Sequence, residues 1–150
     1  MPNFPHPLYF ASLACVIFAV LKTFFNGWAT SARFQSMDRV CLLSHECDGA
    51  DSLEHYAECV FHWRVFGDKV RKSSYPRCLT RFLGLLTESI DDRIFHAVHM
   101  YAVMSAYNSR KHSHIISNEN AIEALIWEGH RTAQLYHKGL AKRYQDIWTH

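Results

Sequence analysis

The sequence predicts a mainly α-helical fold, and three observations support this prediction. Apolar residues recur every three or four positions over much of residues 79–147, which is the spacing of one helix face. An apolar run at residues 8–25 ends at Asn26 and Gly27, two residues that favour the end of a helix. A short stretch rich in cysteine and histidine lies between these helical segments. We therefore divide the chain into an apolar N-terminal helix (1–30), a cysteine-rich unit (31–72) and a helical tail (73–150).

Composition limits the class of protein. The 150 residues suit one domain, and an apolar content of 49% is enough to form a core. A formal net charge of +2 is too small to indicate nucleic-acid binding by itself. The five cysteines are an odd number and do not resemble the disulfide framework of a small secreted protein. We therefore expect a reducing, intracellular compartment, with the nucleus or cytoplasm favoured over a membrane.

The N-terminal segment at residues 8–25 reads LYFASLACVIFAVLKTFF. Its eighteen residues are near the lower limit for a membrane span, and Lys22 leaves only fourteen residues in the apolar run before it. A helix docked on a protein core is the favoured interpretation. Membrane association through residues 8–25 is the alternative. A signal peptide fits less well because no basic segment precedes the apolar run.

The cysteine-rich unit predicts a metal site. Three thiols and one imidazole fall within nineteen residues, at Cys41, Cys47, His55 and Cys59. Cys3His sets of this kind hold tetrahedral structural zinc. His55 and Cys59 are four residues apart, so on a helix they would share one face. The sequence therefore predicts Zn2+ as the cofactor, held between a thiol loop and a ligand helix.

The loop before that helix leaves some details open. The segment CLLSHEC places five residues between its cysteines, whereas zinc loops usually place two to four there. His45 is therefore an alternative ligand, which would leave Cys47 as the spare. The polar residues that follow predict a turn and then a helix N-cap at Asp51 or Ser52.

The helical tail shows no catalytic grouping. The chain has no Ser-His-Asp set, no nucleophile elbow and no phosphate-binding glycine loop. A closed four-ligand zinc site also leaves no position for a reactive water, so we predict that the protein is not an enzyme. His96 and His99 could bind a second metal with Asp92, but the sequence places no further ligand there.

Several motifs together resemble a known family. They are NGWATSARFQ, the cysteine loop, DGADSLEHYAEC, an aromatic run, and the helical segment MYAVMSAYNSRKH. This order is similar to the zinc-binding region that follows the polymerase domain in non-LTR retrotransposon reverse transcriptases. The similarity covers roughly residues 23–113, and DSLEHYxxC is its most specific part.

The resemblance implies that the three cysteines and His55 bind zinc and that the region helps to hold template RNA or target DNA. The chain departs from the family in its widely spaced first cysteines and at Val60, where a proline is common. It has no YxDD-like hairpin with paired aspartates, so it cannot polymerise alone. Because Met1 opens the chain just upstream, we interpret it as a free-standing tail without the polymerase domain.

Two function hypotheses follow. The first is a non-catalytic zinc-binding module that contacts RNA or DNA through basic residues of the cysteine-rich unit. These are Arg33, Arg39, Arg64, Lys69, Arg71 and Lys72. The second is a structural or scaffold subunit of a larger assembly, either away from or at a membrane, in which zinc serves only the fold. Its partner contacts would come from Trp28, Trp127 and Trp148.

Overall fold

The computed structural model describes residues 7–35, 40–67, 78–83, 85, 90–112 and 118–135. These ranges contain six helices and no strand. The helices are α1 (Pro7–Phe24), α2 (Leu53–Glu58), α3 (Val60–Gly67), α4 (Leu79–Phe82), α5 (Ile90–His112) and α6 (Glu119–Leu135). The cysteine-rich loop precedes α2, so the predicted mainly helical class and the order of its parts are confirmed. The end of the predicted last helix, at residues 136–147, lies outside the described residues, and the division into three segments stays a prediction.

Local sequence signals set the helix ends. Asn26 has a positive φ of 48° just after α1, and its N–H donates to the Thr23 carbonyl at 3.1 Å, as predicted for a helix stop. Ser52 is the N-cap of α2 and accepts a hydrogen bond from the His55 N–H at 3.1 Å. Asn118 does the same for α6, accepting from the Ala121 N–H at 2.8 Å. Side-chain oxygens thus satisfy backbone donors that a helix start leaves open.

Helix α1 packs mainly against α5, as expected for a helix docked on a core. Its other face carries large apolar side chains that are about half exposed. They are Ile17, Phe18, Leu21 and Phe24, and Phe25 follows the helix at 80% exposure. Within the described ranges, no helix combines the length and the apolar character that crossing a bilayer requires.

The contact between α5 and α6 is the most extensive helix packing in the described residues. A Cβ atom added to Gly129 would lie 2.8 Å from the Ala102 Cα. Real Cβ atoms do not approach a backbone that closely, so glycine at this position allows the two helices to pack at short range.

An aromatic cluster joins α2 and α5 to the segment that follows α1. The rings of Trp28, Tyr56 and Tyr107 have centroids between 5.2 and 5.8 Å apart. Trp28 is only 1% exposed, and its Nε1–H donates to the Thr23 hydroxyl at 2.9 Å. The interpretation of Trp28 as a partner contact is therefore wrong, because its ring and its donor are both used inside the core. Trp148 lies outside the described residues.

A row of three buried histidines connects α3, α5 and α6. The Nδ1 of His62 lies 2.9 Å from the Nε2 of His99, and the Nδ1 of His99 lies 3.2 Å from the Nε2 of His130. The Nε2 of His62 also bonds the Tyr56 carbonyl. We call these three rings the histidine row. The hypothesis of a second metal site at His96, His99 and Asp92 stays a prediction, because the side chain of Asp92 lies outside the described residues.

Candidate metal centre

The four predicted ligands converge on one point. Their ligand atoms all lie within 4.8 Å of one another. The Sγ atoms of Cys41 and Cys59 are 3.9 Å apart, and Cys47 Sγ lies 3.3 Å from His55 Nε2. A tetrahedral zinc ion with Zn–S bonds of ~2.3 Å and Zn–N bonds of ~2.0 Å needs such pairs at roughly 3.5 to 3.8 Å. The residues present therefore fit a zinc ion.

The metal loop positions two of these ligands, and α2 with its C-cap positions the other two. Cys41 and Cys47 stand at the two ends of the loop, and His55 lies on α2. Cys59 is the C-cap of α2, and its ψ of 116° breaks the helix before α3 begins at Val60. The predicted order of thiol loop and ligand helix is confirmed, except that Cys59 stands just past the helix and not on its face. The turn lies at His45 and Glu46 inside the loop, and not between Cys47 and the Ser52 cap as predicted.

Gly49 provides a flat surface for the imidazole of His55. A Cβ atom added to Gly49 would lie 1.9 Å from the ring's Cε1, 2.1 Å from Nδ1 and 2.5 Å from Nε2. The ring thus packs directly on the glycine backbone. Any other residue type at position 49 would require the His55 ring or the loop to shift.

The three neighbouring thiols shift one another's pKa values, because a negative charge on one disfavours a charge on the others. The hydrogen bond from Cys59 lowers the pKa of Cys41 to about 5, against the opposing effect of its burial. The same hydrogen bond, with burial, raises the pKa of Cys59. Burial also raises the pKa of Cys47. Without a cation one thiolate forms readily and the other two do not, which is the electrostatic problem that a divalent metal ion relieves.

Backbone amides support each of the three sulfurs in the same way. The N–H groups of Leu43, Gly49 and Phe61 lower the pKa values of Cys41, Cys47 and Cys59, respectively. In every case the donor lies two residues after the cysteine. Hydrogen bonds to ligand atoms orient them and disperse charge at metal sites, so this repeated arrangement favours bound thiolates.

Helix α6 holds the long loop in place. The Ser44 hydroxyl and the His45 N–H, the latter at 3.1 Å, both donate to the Glu119 carboxylate. The bond from Ser44 is the main reason why the pKa of Glu119 is lowered. Ser44 also accepts from the Glu46 N–H at 3.2 Å. The wide cysteine spacing is thus supported from outside the loop, and the ring of His45 is not part of the ligand group.

Asp51 ties the metal unit to the segment after α1. Its Oδ2 accepts hydrogen bonds from the N–H and the hydroxyl of Ser31, both at 2.7 Å. Its Oδ1 accepts from the Tyr56 hydroxyl at 2.7 Å, and that hydroxyl accepts from the Leu42 N–H at 3.1 Å. Burial raises the pKa of Tyr56. The sequence indicated Asp51 only as a possible cap, since its partners lie up to twenty residues away.

Two of the six predicted phosphate contacts lie in the described residues. Arg33 is exposed, with its guanidinium 5.4 Å from the centroid of the Phe34 ring. Arg64 is also exposed and lies 3.9 Å from the Glu119 carboxylate. The remaining four lie outside the described residues, at Arg39, Lys69, Arg71 and Lys72.

No family model, no curated protein and no solved structure matches this chain. The similarity to reverse transcriptase tails stays a prediction from the motifs, and the chemistry of the site follows from its own four ligands.

Proposed function

We propose that this protein is a zinc-stabilised helical module that contacts single-stranded nucleic acid. The convergence of Cys41, Cys47, His55 and Cys59 on one tetrahedral position is the observation that carries the zinc assignment. Thiolates and imidazole favour zinc, whereas magnesium and calcium favour oxygen ligands. Bound there, zinc would have four protein ligands and no open position, so its role is to hold the fold.

A bound metal ion would stabilise the metal loop and the short helix α2. The loop has few buried apolar residues of its own, and α2 is only six residues long. Binding free energy at a site that the unfolded chain lacks adds directly to folding free energy. Zinc would thus fix the loop against α2 and, through Glu119, against α6.

The nucleic-acid part of the proposal depends on exposed arginines beside aromatic rings. Arg33 lies over Phe34, and Arg64 lies 5.8 Å from the Phe61 ring centroid. Guanidinium groups bind phosphates, and the exposed ring of Phe34 can stack on a base of a single strand, whereas Phe61 is buried and only supports Arg64. The motif similarity to reverse transcriptase tails supports the same kind of ligand.

Metal content tests the first part. We expect one equivalent of zinc in protein purified without added metal, lost together with the fold in Cys47→Ser and Cys59→Ser. Cys15→Ser is the matched control, because Cys15 is exposed and outside the ligand group. Well-folded protein without zinc would refute the metal assignment. Zinc kept in Cys47→Ser but lost in Cys59→Ser would return His45 to the ligand set.

Salt dependence tests the second part. Fluorescence anisotropy with a labelled single-stranded RNA should show binding that weakens steeply between about 50 and 200 mM salt. Binding that is absent at low salt, or unchanged by salt, would refute the electrostatic mechanism.

The exposed face of α1 favours a second candidate, a structural or scaffold subunit. Its half-exposed apolar side chains form a surface of the kind that protein partners cover. Light scattering on the purified chain tests this, since a stable oligomer that Phe18→Ser and Leu21→Ser dissociate would favour the scaffold role. A monomer that binds RNA would favour the first proposal.

A further inference from the structure

A cleft lies beside the metal loop. Its volume is about 330 Å³, and it opens between the segment after α1, the start of the metal loop and the C-terminal turn of α5. Val40, next to the ligand Cys41, forms one wall. Arg110 and Lys111 also line the cleft, and Asp51 lies among the lining residues.

The cleft carries an excess of positive charge. Its one described carboxylate, Asp51, already accepts three hydrogen bonds, from Ser31 and Tyr56. Lys111 donates to two uncharged oxygens, the Ala29 carbonyl and the Tyr107 hydroxyl. Two cations face one buried carboxylate and a helix C-terminus worth roughly half a negative charge. A positive remainder is left for an anionic ligand.

Arg110 contributes most clearly to this excess of positive charge. Its Nε is buried and has no hydrogen-bond partner among the described residues. No described carboxylate forms an ion pair with its guanidinium, whereas Arg131 on α6 pairs with Glu128 at 2.7 Å. A buried donor without a partner costs free energy. Because Arg110 lines the cleft and no described carboxylate neutralises it, its guanidinium is the group that a phosphate or carboxylate entering the cleft would meet.

The mouth of the cleft is apolar and aromatic. Phe34 is 64% exposed and Val40 is 63% exposed, although both line the cleft. Arg33 lies over one side of the Phe34 ring. An exposed ring of this kind, with an arginine beside it, is a stacking platform for a planar base.

We propose that this cleft binds one nucleotide of a single strand, with its phosphate at Arg110 and its base on Phe34. This inference rests on the proposed function and places nucleic-acid binding at one named surface. It also connects that surface to the metal centre, since the chain passes directly from Val40 in the cleft wall to the ligand Cys41.

The two halves of the proposed contact should respond differently to salt. Arg110→Gln removes a phosphate contact, so it should weaken RNA binding about 10-fold at low salt and reduce the slope of log K against log salt by about 0.7. Phe34→Ala removes stacking, so it should weaken binding about 5-fold or more both at about 50 mM and at about 200 mM salt. Phe34→Tyr keeps an aromatic ring and should restore binding.

Arg131→Gln is the matched control, because it removes an arginine that does not line the cleft. All variants are used as zinc-loaded full chains and compared by far-UV circular dichroism. Phe34 is exposed, so its substitution tests the proposal even if Arg110→Gln fails to fold.

The outcomes separate the two proposals. Weaker binding in Phe34→Ala and Arg110→Gln, with Arg131→Gln close to wild type, supports the cleft. If RNA binds but all three variants match wild type, the cleft assignment is overturned while the proposed function stands on other contacts. If the wild-type chain binds no RNA at low salt, the nucleic-acid function and the cleft assignment fall together.

Discussion

Gly49→Ala is the sharpest test of the metal centre, because it changes no ligand. The added methyl group would lie 1.9 Å from the His55 ring, and real Cβ atoms essentially never approach other heavy atoms to within 3.0 Å. The ring must therefore move by about 1 Å or more, or the loop must shift by that amount. Metal–ligand distances are set to within ~0.2 Å, so the imidazole cannot keep its place in a tetrahedral site.

We expect Gly49→Ala to bind zinc about 10- to 100-fold more weakly than wild type, the usual effect of disturbing groups that orient a metal ligand. This corresponds to a loss of ~1.4 to 2.8 kcal/mol. Competition with a chromophoric chelator measures the affinity. Urea unfolding with excess zinc should show a similar loss of stability, because metal binding and folding are linked.

Gly129→Ala is the matched control. Its methyl group would meet the Ala102 backbone between α5 and α6, away from the metal. It should cost ~1–3 kcal/mol of stability through overpacking, while the native protein keeps one equivalent of zinc at wild-type affinity. Zinc affinity in Gly49→Ala equal to wild type would refute the placement of His55 as a ligand packed on Gly49.

Three further predictions concern the contacts around the site. Glu119→Gln weakens the acceptor of the Ser44 hydroxyl and should lower the unfolding free energy, measured in urea, by ~1–2 kcal/mol. The control Glu128→Gln changes an exposed residue and should alter the unfolding free energy by less than ~1 kcal/mol. Equal effects of the two substitutions would contradict the contact between Glu119 and the loop. Burial lowers the pKa of His130 from 6.5 to about 3, so the unfolded chain binds more protons in that window. The unfolding free energy of the wild type should therefore fall as pH drops from 6.5 towards 3. The fall should be steeper than in His130→Gln, by up to ~1.4 kcal/mol per pH unit. Equal slopes in urea titrations of the two proteins would argue against a buried neutral ring. Tyr56→Phe leaves the part-buried Leu42 N–H and the buried Asp51 Oδ1 without their partner, so thermal melts should show a loss of ~1–3 kcal/mol. An unchanged melting temperature would contradict this expectation.

Much of the metal centre could be predicted because its signals are local. The ligand types, the Ser52 cap and the stop at Asn26 all depend on residues within a few positions of one another. The competition between Cys47 and His45 could not be resolved in this way. It depends on Glu119, which is more than seventy residues away and holds the loop in the conformation that directs Cys47 to the site.

The polar core could not be predicted for the same reason. His62, His99 and His130 come from three helices, and no spacing within one helix indicates that their rings align. His99 resembled a metal ligand because His96 lies three residues before it. Helix packing instead directs its ring towards α3 and α6. Trp28 resembled an interface residue, but its indole N–H has a partner inside the protein.

The histidine row also has a direction. The Tyr56 carbonyl can only accept, so the Nε2 of His62 carries a proton. With three neutral rings, the Nδ1 of His62 must then accept from the Nε2–H of His99, and His99 in turn from the Nε2–H of His130. One backbone oxygen on the metal-binding helix thereby selects the same tautomer in all three rings. A residue that replaces His62 or His99 must donate on one side and accept on the other, which glutamine and asparagine can do and an aliphatic side chain cannot.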